Sequence, residues 1–189
     1  MFLRAGVLRS SLFLICCLLS VGNKVEFAEA GQEPTGPSIE YQIKASLIFN
    51  FIQFIEWPNL EAAPASTFRI CVFGKDQFGS ALSYFEKETV FDRRVQKVVL
   101  SSPSEELKTC QVLYIPRGAE NEEVPTLTSL NEAGVLTIGE SEDFLEKGGI
   151  IRLARADQKI IFDINRRASL ESHFKITSKL LRLARQVVD

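Results

Sequence analysis

Residues 68–79, FRICVFGKDQFG, join a short apolar run to a turn that contains two glycines. A run of six residues rich in Phe, Ile and Val and ended by a glycine is typical of a buried strand. Similar apolar runs follow at 95–100, 112–115 and 135–138. The stretches around these runs are predicted to be helical at 77–87, 104–108 and 121–131. This alternation predicts an α/β fold: a single three-layer α/β/α domain with a mostly parallel sheet.

The alternation ends after the glycine pair at 148–149. The next two apolar runs, within 150–164, are separated by a few polar residues, which predicts a C-terminal β-hairpin that closes one edge of the sheet. Asn165 is predicted to cap a short helix that continues to about Glu171, and a last helix is predicted over SKLLRLARQVV, 178–188.

Upstream of the first strand, KASLIFNFIQFIEWP (Lys44–Pro58) has the pattern of an amphipathic helix that begins near Ser38. Its polar positions lie within about 120° of one another, and the proline ends the helix. Its apolar part would span only about 20 Å, so a membrane anchor is not predicted. The apolar arc is wider than one sheet face requires, and Phe49 and Trp57 on its flank are predicted to contact a second copy of the chain in a homodimer.

The N-terminal residues, 1–30, have the features of a secretory signal peptide. Two arginines precede an apolar run of eleven residues, and Ala-Glu-Ala at 28–30 provides small residues for cleavage. We therefore expect a cleaved signal peptide and an exported protein. A flexible leader is expected over 31–38 and one domain over 39–189.

Composition and motifs exclude several classes of function. The formal net charge of −2 at pH 7 provides no basic field for nucleic acid. The loop 74–79 lacks the Lys-Ser/Thr pair of a P-loop, and His173 is the single histidine. The acidic group Glu140, Glu142 and Asp143 is typical of a solvated helix start. We predict no catalytic residue, no metal ligand and no cofactor.

Cys71 and Cys110 would remain after signal-peptide cleavage, and an even pair in an oxidising compartment predicts one disulfide. In a doubly wound sheet of order 2-1-3 their strands are neighbours, which makes the bond geometrically reachable. Two roles stay open: a structural bond that stabilises the fold, and a redox sensor, which requires an accessible or strained bond.

Six segments, in this order and spacing, resemble the YfiR-like family of secreted bacterial proteins: KASLIFNFIQFIEWP, FRICVFGKDQFG, TCQVLYI, GVLTIGESEDFLEKGGIIRL, KIIFDIN and KITSKLLRLARQV. The resemblance covers about residues 40–188. Its most specific part is the phrase A-x-x-x-x-N-F-x-x-F-x-x-W-P together with the closing F-x-I-N and K-x-S/T-x-K-L-L-x-L-A-R.

The resemblance implies a periplasmic α/β protein, commonly dimeric, that acts as a regulator. In well-understood members it implies binding to the periplasmic sensor domain of a membrane-bound diguanylate cyclase, which is held inactive, and release by an outer-membrane lipoprotein. It also implies that Cys71 and Cys110 match a family disulfide. Some members have a second cysteine pair in the region that corresponds to 143–152, and this chain has no cysteine there.

We therefore expect a non-catalytic regulator that represses cyclic-di-GMP synthesis by binding one conformation of the cyclase or sensor. Its contact surface is predicted in the C-terminal third, with three polar and three apolar residues: Asp163, Asn165, Lys175, Phe174, Ile176 and Leu181. The alternative is a periplasmic small-ligand-binding module that feeds a sensor kinase or other receptor, with the ligand held by the polar members of this set.

Overall fold

The apolar run at 68–73 forms an interior strand of a mixed β-sheet. The computed structural model describes residues 36–58, 67–119 and 126–189, all of which fall in one compact unit. The predicted signal peptide, 1–30, and most of the predicted leader lie outside the described residues. These domain boundaries therefore stay predictions.

The strands in the described ranges are β1 (Ile55–Glu56), β2 (Thr67–Phe73), β3 (Thr89–Val90), β4 (Arg93–Leu100), β5 (Val112–Ile115), β6 (Leu136–Gly139), β7 (Ile151–Ala156), β8 (Lys159–Asn165), β9 (Lys175–Ile176) and β10 (Gln186–Val188). The α-helices are α1 (Ile39–Gln53), α2 (Ser80–Ser83), α3 (Leu127–Glu132), α4 (Arg166–Glu171) and α5 (Ser178–Leu183). Short 3₁₀ helices cover Tyr84–Lys87 and Glu105–Thr109.

The large sheet has the strand order β10-β8-β7-β6-β5-β2-β4-β3, and β1 pairs with β9 in a separate ribbon. The predicted order around the first strand is confirmed, because β2 lies between β4 and β5 and is parallel to both. The β7–β8 and β3–β4 pairs are antiparallel. The fold is therefore α/β with a mixed sheet, and the three-layer arrangement stays a prediction.

Each face of the sheet has its own apolar core. Phe68, Ile70 and Val72 of β2 pack in a cluster with residues of α1, whereas Cys71 and Phe73 belong to a second cluster. This separation follows from the alternation of side chains along a strand. The interior strands are apolar at successive positions because both faces of the sheet are buried.

The connecting helices are shorter than predicted. Of the predicted helix at 77–87, residues 77–79 are not helical, α2 forms one turn, and a 3₁₀ helix covers Tyr84–Lys87. The segment predicted at 104–108 is a 3₁₀ helix. The predicted helix at 121–131 corresponds to α3, and its first residues lie outside the described chain. Local periodicity thus located these segments, although it did not give their lengths.

The C-terminal segment differs from the prediction. The β7–β8 hairpin is present, but it does not close the sheet, since β10 pairs in parallel with β8. The predicted helix over 178–188 ends at Leu183, where Ala184 becomes extended. The backbone N–H of Arg185 then donates to Phe162 O at 2.9 Å. Long-range pairing with β8 therefore replaces the last turns of the helix.

Helix α1 begins where the sequence predicts and ends earlier. Ser38 caps it by accepting a hydrogen bond from Tyr41 N at 3.5 Å. The helix ends at Gln53, and Ile55 and Glu56 pair with Ile176 and Lys175 in the β1–β9 ribbon. No helix in the part of the chain that the structure describes has the length and apolar character required to cross a membrane.

Candidate functional site

Asp163 lies in β8, is 1% exposed and binds two arginines. Arg152 Nε donates to Asp163 Oδ2 at 3.0 Å, and Arg185 Nε donates to Oδ1 at 2.8 Å. The hydrogen bond with Asp163 raises the pKa of Arg185. Two charge-assisted pairs compensate the burial of this carboxylate, which connects β7, β8 and the start of β10. In this structure Asp163 has no surface for direct contact with a partner.

Asn165 is also buried, and its amide is used within the chain. Its Oδ1 accepts from Ala168 N at 2.9 Å, which makes it the N-cap of α4 as predicted. Its Nδ2 donates to Leu145 O at 3.0 Å. This second bond holds the loop before β7 against α4.

Phe174 is fully buried and follows the C-terminal turn of α4. Its N–H donates to Ser169 O at 2.8 Å, and His173 adopts a positive φ of 64°. These are the features of a Schellman motif, which directs the residue after the turn back toward the helix. Its ring packs edge-on against Trp57 with the ring centroids 5.3 Å apart. Phe174 is therefore a core residue in this structure.

The other three residues of the predicted contact set reach the surface. Lys175 is exposed and pairs with Glu56 across the β1–β9 ribbon at 3.4 Å. Ile176 and Leu181 are half-buried. Leu183, which was not in the predicted set, is 64% exposed at the end of α5. The contact role of all six predicted residues stays a prediction, and the structure divides them into a buried trio and a surface trio.

The predicted dimer residues, Phe49 and Trp57, are both half-buried. Phe49 stacks on Phe85 with the ring centroids 4.3 Å apart. Trp57 packs edge-on against Phe68 at 5.1 Å, and its Nε1 donates to Ile52 O at 3.1 Å. Part of each side chain remains at the surface, so the dimer contact stays a prediction.

A buried ionic network on α1 was missed by sequence reasoning. Lys44 is 3% exposed, pairs with Glu40 at 2.6 Å and also binds Glu140, whose carboxylate accepts a hydrogen bond from the Tyr114 hydroxyl. Burial raises the pKa of Tyr114. Burial lowers the pKa of Lys44, but hydrogen bonds with Glu140 and Glu40 outweigh it and raise this pKa overall.

The position of this network could have been inferred from one signal. Lys44 shares a helix face with Ile48 and Phe51, which are both buried. A lysine on an apolar face requires an anionic partner. Glu140 provides it directly after β6, at the carboxyl edge where open α/β sheets usually bind ligands. The residues hold α1 over that edge.

The structure confirms the disulfide between Cys71 and Cys110, whose Cα atoms are 5.9 Å apart. Cys71 is 0% exposed and Cys110 is 2% exposed. Exchange requires attack by a thiolate on an accessible sulfur. The burial of both cysteines therefore favours the structural role over the redox role.

The acidic residues after β6 have individual partners. Glu140 belongs to the Lys44 network, the backbone carbonyl of Glu142 accepts from Arg152 at 2.9 Å, and Asp143 pairs with Lys147 at 2.7 Å. Within the described ranges, no group of three His, Cys, Asp or Glu side chains could hold a metal ion.

Comparison with known proteins identifies the family of the chain. A family model described as YfiR/HmsC-like matches residues 41–185. No curated protein matches the chain. Two solved structures are similar over 78% of the chain: a conserved domain protein from Vibrio cholerae O1 biovar eltor (11% identity, TM-score 0.48) and an ABC domain in complex with L-Trp from Streptococcus pneumonia (12% identity, TM-score 0.46). The chain spans 60% of each of those chains, and we base no argument on similarity at this level.

Proposed function

Because the chain belongs to the YfiR/HmsC-like family, we propose that it represses a membrane-bound diguanylate cyclase by binding the periplasmic sensor domain of that enzyme. Family membership itself suggests the more general description, a periplasmic regulator in cyclic-di-GMP signalling rather than an enzyme. The family match over residues 41–185 carries the proposal, since it includes most of α1 and the C-terminal elements as far as α5.

The proposed mechanism is differential binding to two conformations of the cyclase. A regulator that binds the inactive conformation more tightly raises the population of that conformation. A shift from 1:99 to 99:1 requires a difference in binding free energy of about 5.5 kcal/mol. A few apolar anchors that become buried at an interface can supply a difference of this size.

We propose that the cyclase contacts the surface trio of the predicted set, Lys175, Ile176 and Leu181. We add Leu183 to this surface as a second apolar anchor, because it is largely exposed at the end of α5, where it projects from a different face of the helix than Leu181. The exposed charge of Lys175 beside apolar side chains suits a partner surface with an acidic rim around an apolar centre.

Binding of the purified periplasmic domain of a candidate cyclase tests this surface. We expect Leu183→Asp to weaken binding at least about tenfold with little change in melting temperature, because it places a charge in an exposed apolar anchor. Lys159→Glu is the matched control, since it changes an exposed charge at the opposite end of β8 from Asp163. Unchanged affinity for Leu183→Asp, or an equal loss in the control, would exclude this surface.

Repression is tested in the cell. Deletion of the gene should raise the cyclic-di-GMP level, and expression of the unaltered protein should return the level to its original low value. Expression of Leu183→Asp should leave the level high if the same surface acts in the cell. An unchanged cyclic-di-GMP level in every growth condition would contradict the repressor proposal.

Two further partners belong to this proposal. We propose that an outer-membrane lipoprotein competes with the cyclase for the chain, so the lipoprotein should lower the amount of cyclase bound in a pull-down.

We also propose that the chain forms a homodimer in which Phe49 and Trp57 contact the second copy. Sedimentation should then show that Phe49→Glu is monomeric while Ile39→Glu, at a 75% exposed position on α1, remains dimeric. A monomeric unaltered protein would contradict the dimer.

The second candidate function is the small-ligand-binding module that feeds a sensor kinase or other receptor. It is favoured by a cleft of about 500 Å³ whose lining includes Asn165. Lys175 and Asp163 do not line this cleft, so the polar ligand set predicted from the sequence is not brought together there. A thermal-shift screen of the domain tests this candidate, because a ligand that binds the folded state raises the melting temperature.

A further inference from the structure

The last segment of the chain has the sequence pattern of a helix, although part of it forms a strand. Over residues 179–189, KLLRLARQVVD, a helix would place the six apolar residues within an arc of about 160° and the five polar residues within about 120° on the opposite side. The alternation of a half-buried strand is absent from 185–188, where each face combines one polar and one apolar residue. In the structure, α5 nevertheless ends at Leu183, and residues 186–188 form β10.

The strand arrangement leaves much of this apolar surface in contact with solvent. Leu183 is 64% exposed, and Val187 and Val188 are only half-buried. β10 has three residues and lies at the end of the strand order, with β8 as its neighbour. A continued helix would instead gather these side chains into one stripe with Leu180. The same residues therefore suit two arrangements.

The side chain of Arg185 anchors the segment in the strand arrangement. Its Nε donates to Asp163 Oδ1 at 2.8 Å, while the side chain remains 45% exposed. Asp163 also binds Arg152, with 2.8 Å between Oδ2 and Nη2. If Arg185 leaves, Asp163 keeps this second cation, so the buried carboxylate is not left without compensation. The anchor can therefore open without disrupting the β7–β8 pair.

We propose that residues 184–188 are a conformational switch, paired as β10 in the free protein and continuous with α5 in the complex with the cyclase. The helical state places Arg185 beside Lys179 and Arg182 on the polar face. Such a helix fits an apolar groove with an acidic rim on the partner. A partner that binds the helical state more tightly raises its population. The identity of the partner rests on the proposed function, whereas the switch is a property of this chain.

Backbone ¹³C chemical shifts of residues 184–188 in the purified domain test the switch without a partner, because they distinguish helix, strand and coil. We expect strand shifts in the unaltered protein and helical shifts in Arg185→Ala, which removes the anchor and retains a strong helix former. Arg182→Ala is the matched control, since it removes an exposed arginine of α5 one turn before the anchor, and it should keep the strand shifts. Strand or coil shifts in Arg185→Ala would overturn the proposal.

A second pair of variants leaves the bond between Arg185 and Asp163 in place. Val187→Ala combined with Val188→Ala should raise the helical population about threefold to tenfold, because alanine favours a helix more than valine does. Val187→Thr combined with Val188→Thr keeps the β-branch and should leave this population unchanged. Relaxation-dispersion measurements give the minor population in each case. Equal helical populations in the two variants would also overturn the proposal.

The labelled domain bound to the unlabelled periplasmic domain of a candidate cyclase tests the link to the partner. We expect the shifts of residues 184–188 to change from strand to helix in the complex. A complex in which they keep strand shifts would overturn the switch as a device for binding and would leave the proposed binding to the cyclase intact. If no complex forms, the proposed function fails, and the substitutions still decide whether the segment has two states.

Discussion

At the scale of single residues, the Lys44 network shows how burial and charge act together. Lys44 occupies the apolar face of α1, and its ammonium group is compensated by Glu40 and Glu140. Tyr114, which is 0% exposed, donates a hydrogen bond from its hydroxyl to the Glu140 carboxylate. Removal of one member of a buried pair leaves an uncompensated charge, whereas the intact network holds α1 on the sheet.

This network makes stability decrease at alkaline pH. The folded pKa values of Tyr114 and Lys44 are raised, so their contribution is fully present below the unfolded values, about 10 for Tyr and 10.4 for Lys. It is lost as pH rises through the folded values. Urea unfolding between about pH 8 and pH 11 should show a fall in stability above about pH 10. The stability of the Tyr114→Phe variant should fall less steeply with pH. Tyr84 is 62% exposed, so the stability of the Tyr84→Phe variant should change with pH as that of the unaltered protein does.

A second prediction at this scale concerns Phe144, whose ring lies between two glycines. A Cβ atom at Gly149 would be 2.2 Å from Phe144 Cε1, and one at Gly139 would be 2.2 Å from Cε2. Gly149→Ala should therefore lower the free energy of unfolding by about 2–3 kcal/mol through overpacking. Gly36→Ala is the control, since its Cβ would have no atom within 4 Å. Equal denaturation midpoints would contradict the close packing.

At the scale of elements, the C-terminal strand depends on contacts that are distant in sequence. β10 is an edge strand of three residues, and such a strand has few hydrogen bonds of its own. Arg185 connects it to β8 twice, through its backbone N–H and through its guanidinium on Asp163. The predicted partner surface on α5 immediately precedes this connection. The position of the predicted partner surface on α5 therefore depends on Asp163.

Asp163→Asn should release β10 from the sheet. We expect a loss of about 3–5 kcal/mol, because both guanidinium partners lose a buried carboxylate. Amide hydrogen exchange should accelerate most at Arg185 and Val187. The control is Asp189→Asn, which removes an exposed pair with Arg166 and should cost less than about 1 kcal/mol. If exchange in β10 is the same in both variants, the anchoring role of Asp163 is wrong.

At the scale of the whole molecule, the disulfide connects the interior of the sheet to the entry of the next strand. Cys71 is in β2, and Cys110 precedes β5 by two residues. Both belong to the apolar cluster on the face opposite α1. The bond thus reinforces one face of the sheet, while the Lys44 network reinforces the other at its carboxyl edge.

The Cys71→Ser/Cys110→Ser variant should lose about 4 kcal/mol of stability in the chain-entropy model, since the bond joins residues 39 positions apart. Denaturant unfolding of the oxidised protein and of the variant measures this difference. The bond in the folded protein should also resist reductant until denaturant is added, because both sulfurs are buried. Rapid reduction of the folded protein would contradict the structural role and favour redox sensing.

The sequence by itself determined the α/β class, the positions of the main strands, the start of α1 near Ser38, the cap at Asn165, and the family. The class, the strands and the helix starts depend on local periodicity and on side chains that bond within a few residues of their own position. The family was identified by the resemblance of six segments in order and spacing. The disulfide was also predictable, because strand order made the two cysteines neighbours.

Tertiary structure decided which residues are accessible. The Lys44–Glu140 pair joins residues 96 positions apart, and the Arg185–Asp163 pair, at a separation of 22, helps to turn a predicted helix into β10. Asp163 and Phe174, which the sequence indicated as contact residues, lie inside the fold. Burial is a property of the assembled sheet and helices, and a pattern confined to one segment contains no information about which distant side chain will cover it.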